Sequence, residues 1–100
     1  MNSARVTVEK DGQIIFDHTE PMDEYEALRQ GNGPTAQVGM NMGTSQEFGR
    51  LKIGASVTLT CDQNEATIDK AGYSALKKCV QMTTLGMQFL AQQSEGEPHA

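Results

Sequence analysis

Hydrophobic and polar residues alternate without a break from Leu51 to Cys61. Leu51, Ile53, Ala55, Val57, Leu59 and Cys61 fall on one side, and Lys52, Gly54, Ser56, Thr58 and Thr60 on the other. A period of two belongs to an extended strand with one buried face. At Asp62 the period changes to that of a helix, which carries on almost to the end of the chain. Counted at about 100° per residue, Ile68, Ala71, Gly72, Ala75, Cys79, Met82, Gly86, Phe89 and Leu90 share one face. Lys70, Tyr73, Lys77, Gln81, Thr84 and Gln88 occupy the other. Asp62 is the predicted N-cap, with Glu65 in the capping-box position three residues on. Each glycine on the buried face costs roughly 1 kcal/mol against alanine, so Gly72 and Gly86 imply a backbone pressed close to its neighbour. The alternative is a break near Thr83-Thr84 or Gly86 that divides the helix in two.

The first half of the chain carries weaker signals of the same kind. Asp11-Gly12 between two β-rich runs predicts a hairpin, because both turn positions require positive φ. Strands are expected over 4–10 and 13–18. Pro21 suits the first turn of a helix, expected over 22–30 and stopped by Gly31, with a loop over 31–34. Ala36, Val38, Met40 and Met42 alternate with Gln37, Gly39 and Asn41 as a third strand, and 43–49 turns into the fourth. The element order is ββαββα. Residues 1–93 are expected to form one α+β domain, a four-stranded, mainly antiparallel sheet with a long C-terminal helix packed on one face. Residues 94–100 read as a flexible polar tail.

Length then bears on assembly. Roughly 28 helical residues span about 42 Å, whereas a compact domain of this size has a radius of gyration of about 13 Å. A continuous helix is therefore expected to overhang its sheet and to place Met82, Leu85, Gly86, Met87, Phe89 and Leu90 at an oligomer interface. Composition points the same way. With 37% hydrophobic residues and no tryptophan in 100 residues, the core is modest, and a second subunit would enlarge it.

A net charge of −5 weighs against broad adhesion to DNA or anionic membranes. No apolar run approaches the roughly 20 residues of a membrane span, and Met1 to Arg5 leads into no apolar segment of a secretory leader. Cys61 and Cys79 both lie on apolar faces and read as small buried hydrophobes. A cytoplasmic protein is the expectation.

Little in the chain suggests catalysis. The glycines of 31–43 are followed by no Lys-Ser or Lys-Thr and open no helix, as a phosphate loop would require. His18 has Asp17 and Glu20 nearby but no Cys or His at metal-ligand spacing. A Cys–His nucleophile would need an exposed cysteine. No cofactor or metal is expected. Two binding surfaces suggest themselves instead. Asp17, Glu20, Asp23, Glu24 and Glu26 crowd a stretch free of Lys and Arg, suited to a basic protein partner. Arg50 and Lys52, with Gln37 and Asn41 on a neighbouring strand, would suit single-stranded nucleic acid, although stacking aromatics are lacking there.

The segment Leu51-Lys-Ile-Gly-Ala-Ser-Val-Thr-Leu-Thr-Cys-Asp-Gln-Asn-Glu-Ala-Thr-Ile-Asp-Lys-Ala-Gly72 resembles the strand-to-helix segment of small, uncharacterised accessory proteins encoded by bacteriophages. The resemblance implies an intracellular binding protein of the host cytoplasm, acting on replication or recombination or by blocking a host factor. It carries over no residue role. The sequence thus points to a non-enzymatic, oligomeric binding protein whose target is another protein. Its rivals are a single-strand nucleic-acid accessory protein and a small-ligand binder or enzyme at an oligomer interface.

Overall fold

The computed structural model describes residues 2–22, 29, 31 and 33–96. Four strands, β1 (Ser3–Lys10), β2 (Gln13–Pro21), β3 (Thr35–Gln46) and β4 (Leu51–Asp62), precede one helix, α1 (Glu65–Gly96). The sheet is antiparallel throughout in the order β2-β1-β4-β3. The first hairpin turns at Asp11 and Gly12, whose φ values of 52° and 83° are the positive pair expected of that dipeptide. The second turns through Glu47, Phe48 and Gly49, all at positive φ. Arg50 joins the two hairpin tips: its carbonyl accepts from the Asp11 N–H at 2.9 Å, and its guanidinium forks onto the Asp11 carboxylate at 2.8 and 3.2 Å.

The alternation read from β4 is the one observed. Ile53, Ala55, Val57, Leu59 and Cys61 are buried beneath α1 with Ala4, Val6 and Val8 of β1. From the helix, Ala71, Ala75, Cys79 and Met82 are buried against them. These helix residues are small apart from Met82, and the reason is clearest at Gly86. A Cβ there would lie 2.8 Å from Ile53 Cγ2 and 3.3 Å from the Cγ2 atoms of Val6 and Val8. The helix axis comes as near to the sheet as these β-branched side chains permit. Gly72 has open space where a Cβ would go, so the close approach does not extend to it.

Three expectations are corrected, and a fourth falls almost wholly outside the described residues. Pro21 ends β2, opposite Ser3, instead of opening a helix; an edge strand tolerates its missing N–H. The helix expected over 22–30 lies outside the described residues except at Met22 and Arg29, and neither is helical. The N-cap is Asn64, whose Oδ1 accepts from the Thr67 N–H at 3.0 Å, while Asp62 completes β4. Its carbonyl accepts from the Thr67 hydroxyl at 2.6 Å. Finally, Phe89 and Leu90 do not hang beyond the sheet: Leu90 lines a groove with Lys10, Gln46 and Leu51 at the strand ends. The molecule is elongated, 61 × 23 × 18 Å, and 12-residue strands of about 40 Å run alongside α1. Phe89 stacks on Phe16 with centroids 4.5 Å apart, and Leu90 packs on the core. No break interrupts the helix at Thr83-Thr84, where each hydroxyl donates to the carbonyl four residues back. The helical backbone continues to Gly96, into the polar tail.

The two helix glycines should respond oppositely to alanine. Gly86→Ala is expected to lower stability by about 1–2 kcal/mol, because the new methyl meets stiff β-branched side chains. Gly72→Ala should raise it by about 0.5–1 kcal/mol through helix propensity. Chemical denaturation checks both. Ile53→Ala removes the obstructing methyl, so its combination with Gly86→Ala should cost less than the two single changes added.

Candidate interaction surface

The helix covers one face of the sheet and leaves the other open. Strand parity puts Ser3, Arg5, Thr7 and Glu9 of β1 on the open face, beside Lys52, Gly54, Ser56, Thr58 and Thr60 of β4. Gln37, Gly39, Asn41 and Gly43 of β3 continue it. The face is flat, hydroxylated and almost without large apolar side chains. Gly54 stands directly between Thr7 and Gly43 in register, and the missing side chains leave a shallow depression bordered by Arg5, Asn41 and Ser56.

The charged residues singled out from the sequence are largely committed within the chain. Asp17 lies on the open face in a two-pronged pair with Arg5, at 2.9 and 2.7 Å. These hydrogen bonds hold the Asp17 carboxyl below its ordinary range and raise the Arg5 guanidinium. Glu20 points to the helix side, where Lys78 Nζ donates to it at 2.9 Å and His18 Nε2 lies 3.0 Å away. One alternating strand therefore sends two of the five clustered acids to opposite faces. Asp23, Glu24 and Glu26 lie outside the described residues.

Of the four nucleic-acid candidates, Lys52, Gln37 and Asn41 do share the open face, and Lys52 stands 4.0 Å from Glu9. Arg50 is not among them, since it is turned onto Asp11 at the hairpin tips, where it depresses the Asp11 carboxyl. The six residues expected at an oligomer interface also separate. Met82 and Gly86 are buried in their own core, and Phe89 and Leu90 pack on it. Only Leu85 and Met87 are exposed, at 36% and 49%, one on each flank of the helix. Leu85 lines a groove with Glu20 and Lys78, whereas Met87 lines one with Gln46 and Leu51.

Both cysteines are buried and free. The Cys79 thiol donates to the Met40 carbonyl at 3.4 Å, and burial pushes its pKa up, which disfavours the thiolate form. Among the described residues no cluster of His, Cys, Asp or Glu is placed to hold a metal, and no helix is long and apolar enough to cross a membrane.

The sequence reading missed Phe48. It stands fully exposed at the tip of the β3–β4 hairpin with φ 56°, following Glu47 at 54°. Two consecutive non-glycine residues in the left-handed region are uncommon and cost about 1 kcal/mol or more each. The available signal was Glu-Phe-Gly between two alternating runs, an aromatic at a position that neither strand nor helix buries. No known protein family matches the chain, and no curated protein or solved structure matches it either.

The Glu20–Lys78 pair links this surface to pH. Lys78 and then His18 lower the Glu20 pKa, so the pair's stabilisation is complete above the value for unfolded glutamate and fades as pH falls through the lowered folded value. Glu20→Gln should cost about 1 kcal/mol at neutral pH, since it leaves the half-buried Lys78 without its counter-charge. That difference should shrink below about pH 4. Thermal unfolding of both proteins across this range measures it.

Proposed function

We propose that this is a non-enzymatic, oligomeric binding protein that acts by contact with another protein, with Phe48 as the anchor of that contact. One observation carries the reading: the most exposed large apolar side chain among the described residues is held outward by a turn that is strained to place it there. Strain of this kind persists where the surrounding structure fixes it, and it collects at binding sites. An aromatic that buries its whole surface in a partner's pocket is the usual energetic centre of a protein interface. Glu47 and Arg50 flank it with charges of both signs, as the rim of such a contact requires.

The paired charges support a protein partner over a nucleic acid. Arg5 and Arg50 are each forked onto a carboxylate and Lys52 faces Glu9, so binding phosphates would first break ion pairs in a chain of net charge −5. The polar sheet face with Lys52, Gln37 and Asn41 remains the surface a single strand would use. A bacteriophage origin and action in the host cytoplasm belong to the same proposal and rest on the resemblance of residues 51–72.

Phe48→Ala should leave stability within about 0.5 kcal/mol of wild type, as for most exposed positions. Side-by-side capture from bacterial lysate should recover a protein with the wild-type bait that the Phe48→Ala bait loses. A fluorescent single-stranded oligonucleotide should not bind near physiological salt. Binding below about 1 μM that falls steeply with salt, and weakens on changing Lys52 to Ala, would replace this reading with the nucleic-acid one.

A further inference from the structure

The two edges of the sheet are protected very differently. β2 carries Asp17, His18, Glu20 and Pro21, and an irregularity in its pairing at Val8/Glu9 interrupts the ladder. Charge, proline and bulges are the devices by which edge strands avoid pairing with other chains. β3 has none of them. Its twelve residues include no charged side chain and no proline, and its register with β4 runs unbroken from Thr35 to Gln46. Twelve residues form a long edge, and nothing in the fold covers it among the described residues.

The helix is exposed on the same side. Lys78 reaches β2 and Cys79 reaches Met40 of β3, which orients the helix: the flank beyond Cys79 faces the β3 side. Tyr73, Leu76, Val80, Thr83, Met87 and Leu90 recur there at intervals of three and four, the spacing of a helix-to-helix seam, with Val80 at the crest, where it also borders the groove of Glu20 and Lys78. Leu76, Val80 and Met87 are 43%, 49% and 49% exposed. Below them Val38, Met40 and Met42 are only partly buried.

We infer that a second copy of this chain docks along β3, joining the two sheets edge to edge across a two-fold axis and laying the two helices side by side. This names the surface behind the oligomeric part of the proposed function and is independent of Phe48. Three features fit this occupant. First, the patch is uncharged on a chain of net charge −5, so two copies can meet without opposing like charges. Second, the geometry is self-complementary. Residues opposed in an antiparallel pair share a face, so a strand paired with its own copy must have its two-fold at a residue and not between two. The residues at the middle of β3 are Met40 and Asn41, and the Cys79–Met40 contact places Val80 beside that point. The same axis thus passes near the middle of the helix stripe and sets Val80 close to its counterpart. Third, the size is right. A strand of about 40 Å and a molecule 18 Å thick present roughly 700 Å², near the ~800 Å² per partner of a stable interface.

Sedimentation tests this on the intact chain. The wild type should be a dimer at micromolar concentration. Leu76→Glu with Val80→Glu should weaken association about 100-fold or more, because the interface would bury unpaired charges, with circular dichroism unchanged. Ile14→Lys, on the β2 edge and 58% exposed in the monomer, should leave the dimer intact. If the double variant misfolds, Val80→Cys decides the matter. It should cross-link between copies on mild oxidation, whereas Ile14→Cys should not. A monomeric wild type at 100-fold higher concentration overturns both the inference and the oligomeric reading. A dimer that survives Leu76→Glu/Val80→Glu, fails to cross-link through Val80→Cys, or dissociates with Ile14→Lys overturns this surface alone.

Discussion

The fold depends on how closely one helix can approach a sheet. A helix about 10 Å across has to shield the apolar face of four strands spaced about 4.8 Å apart. It does so by sinking toward the sheet through Ala71, Ala75, Cys79 and Gly86, while Ile53, Val6 and Val8 rise to meet Gly86. Close approach makes each contact dense, but it cannot widen the helix. α1 lies over β4, β3 and β1 and reaches β2 through the longer side chains of Lys78 and Phe89. The buried core accordingly follows the inner strands, and the apolar residues of β3 and β2 are only partly covered.

The two margins solve that shortfall in different ways. On the β2 side, Phe16 stacks between His18 and Phe89, and the Glu20–Lys78 pair ties the strand to the helix. The margin is closed with aromatic and ionic contacts within the chain. On the β3 side the half-covered residues are methionine, valine and alanine, and the helix above them adds more apolar surface instead of a polar lid. The helix that sits on the sheet through Gly86 leaves this flank only partly covered among the described residues. Because the two edges differ, association by one of them gives a closed pair instead of an open fibre.

Much of this was legible in the sequence, for identifiable reasons. The alternation of 51–61 specifies its own buried face, so β4 and its inward residues could be read directly. Asp11-Gly12 encodes its turn through φ alone, and the helix face from Ala71 to Met82 follows from a strong local period. Contacts that depend on register were not readable. Arg5 finds Asp17, and Arg50 finds Asp11, only once the strands are aligned, and these pairs absorb charges that in the sequence stood free. Glu20 and Asp17 looked like one acidic cluster, yet a period of two sends them to opposite faces. The supposed overhang of Phe89 and Leu90 came from treating the domain as a sphere, whereas antiparallel strands of 12 residues make a slab long enough to lie under the helix as far as Leu90. Phe48 was invisible to periodicity because it belongs to no element.

The two edges of the sheet are asymmetric: β2 carries charge and proline, and β3 carries neither. Amide hydrogen exchange measured at two protein concentrations reads this asymmetry strand by strand. The prediction is that β3 amides, together with those of the Leu76–Met87 stretch, gain protection as concentration rises from nanomolar to micromolar, while β2 stays unchanged. Protection of β3 that is complete and independent of concentration, or a concentration-dependent gain confined to β2, would contradict it.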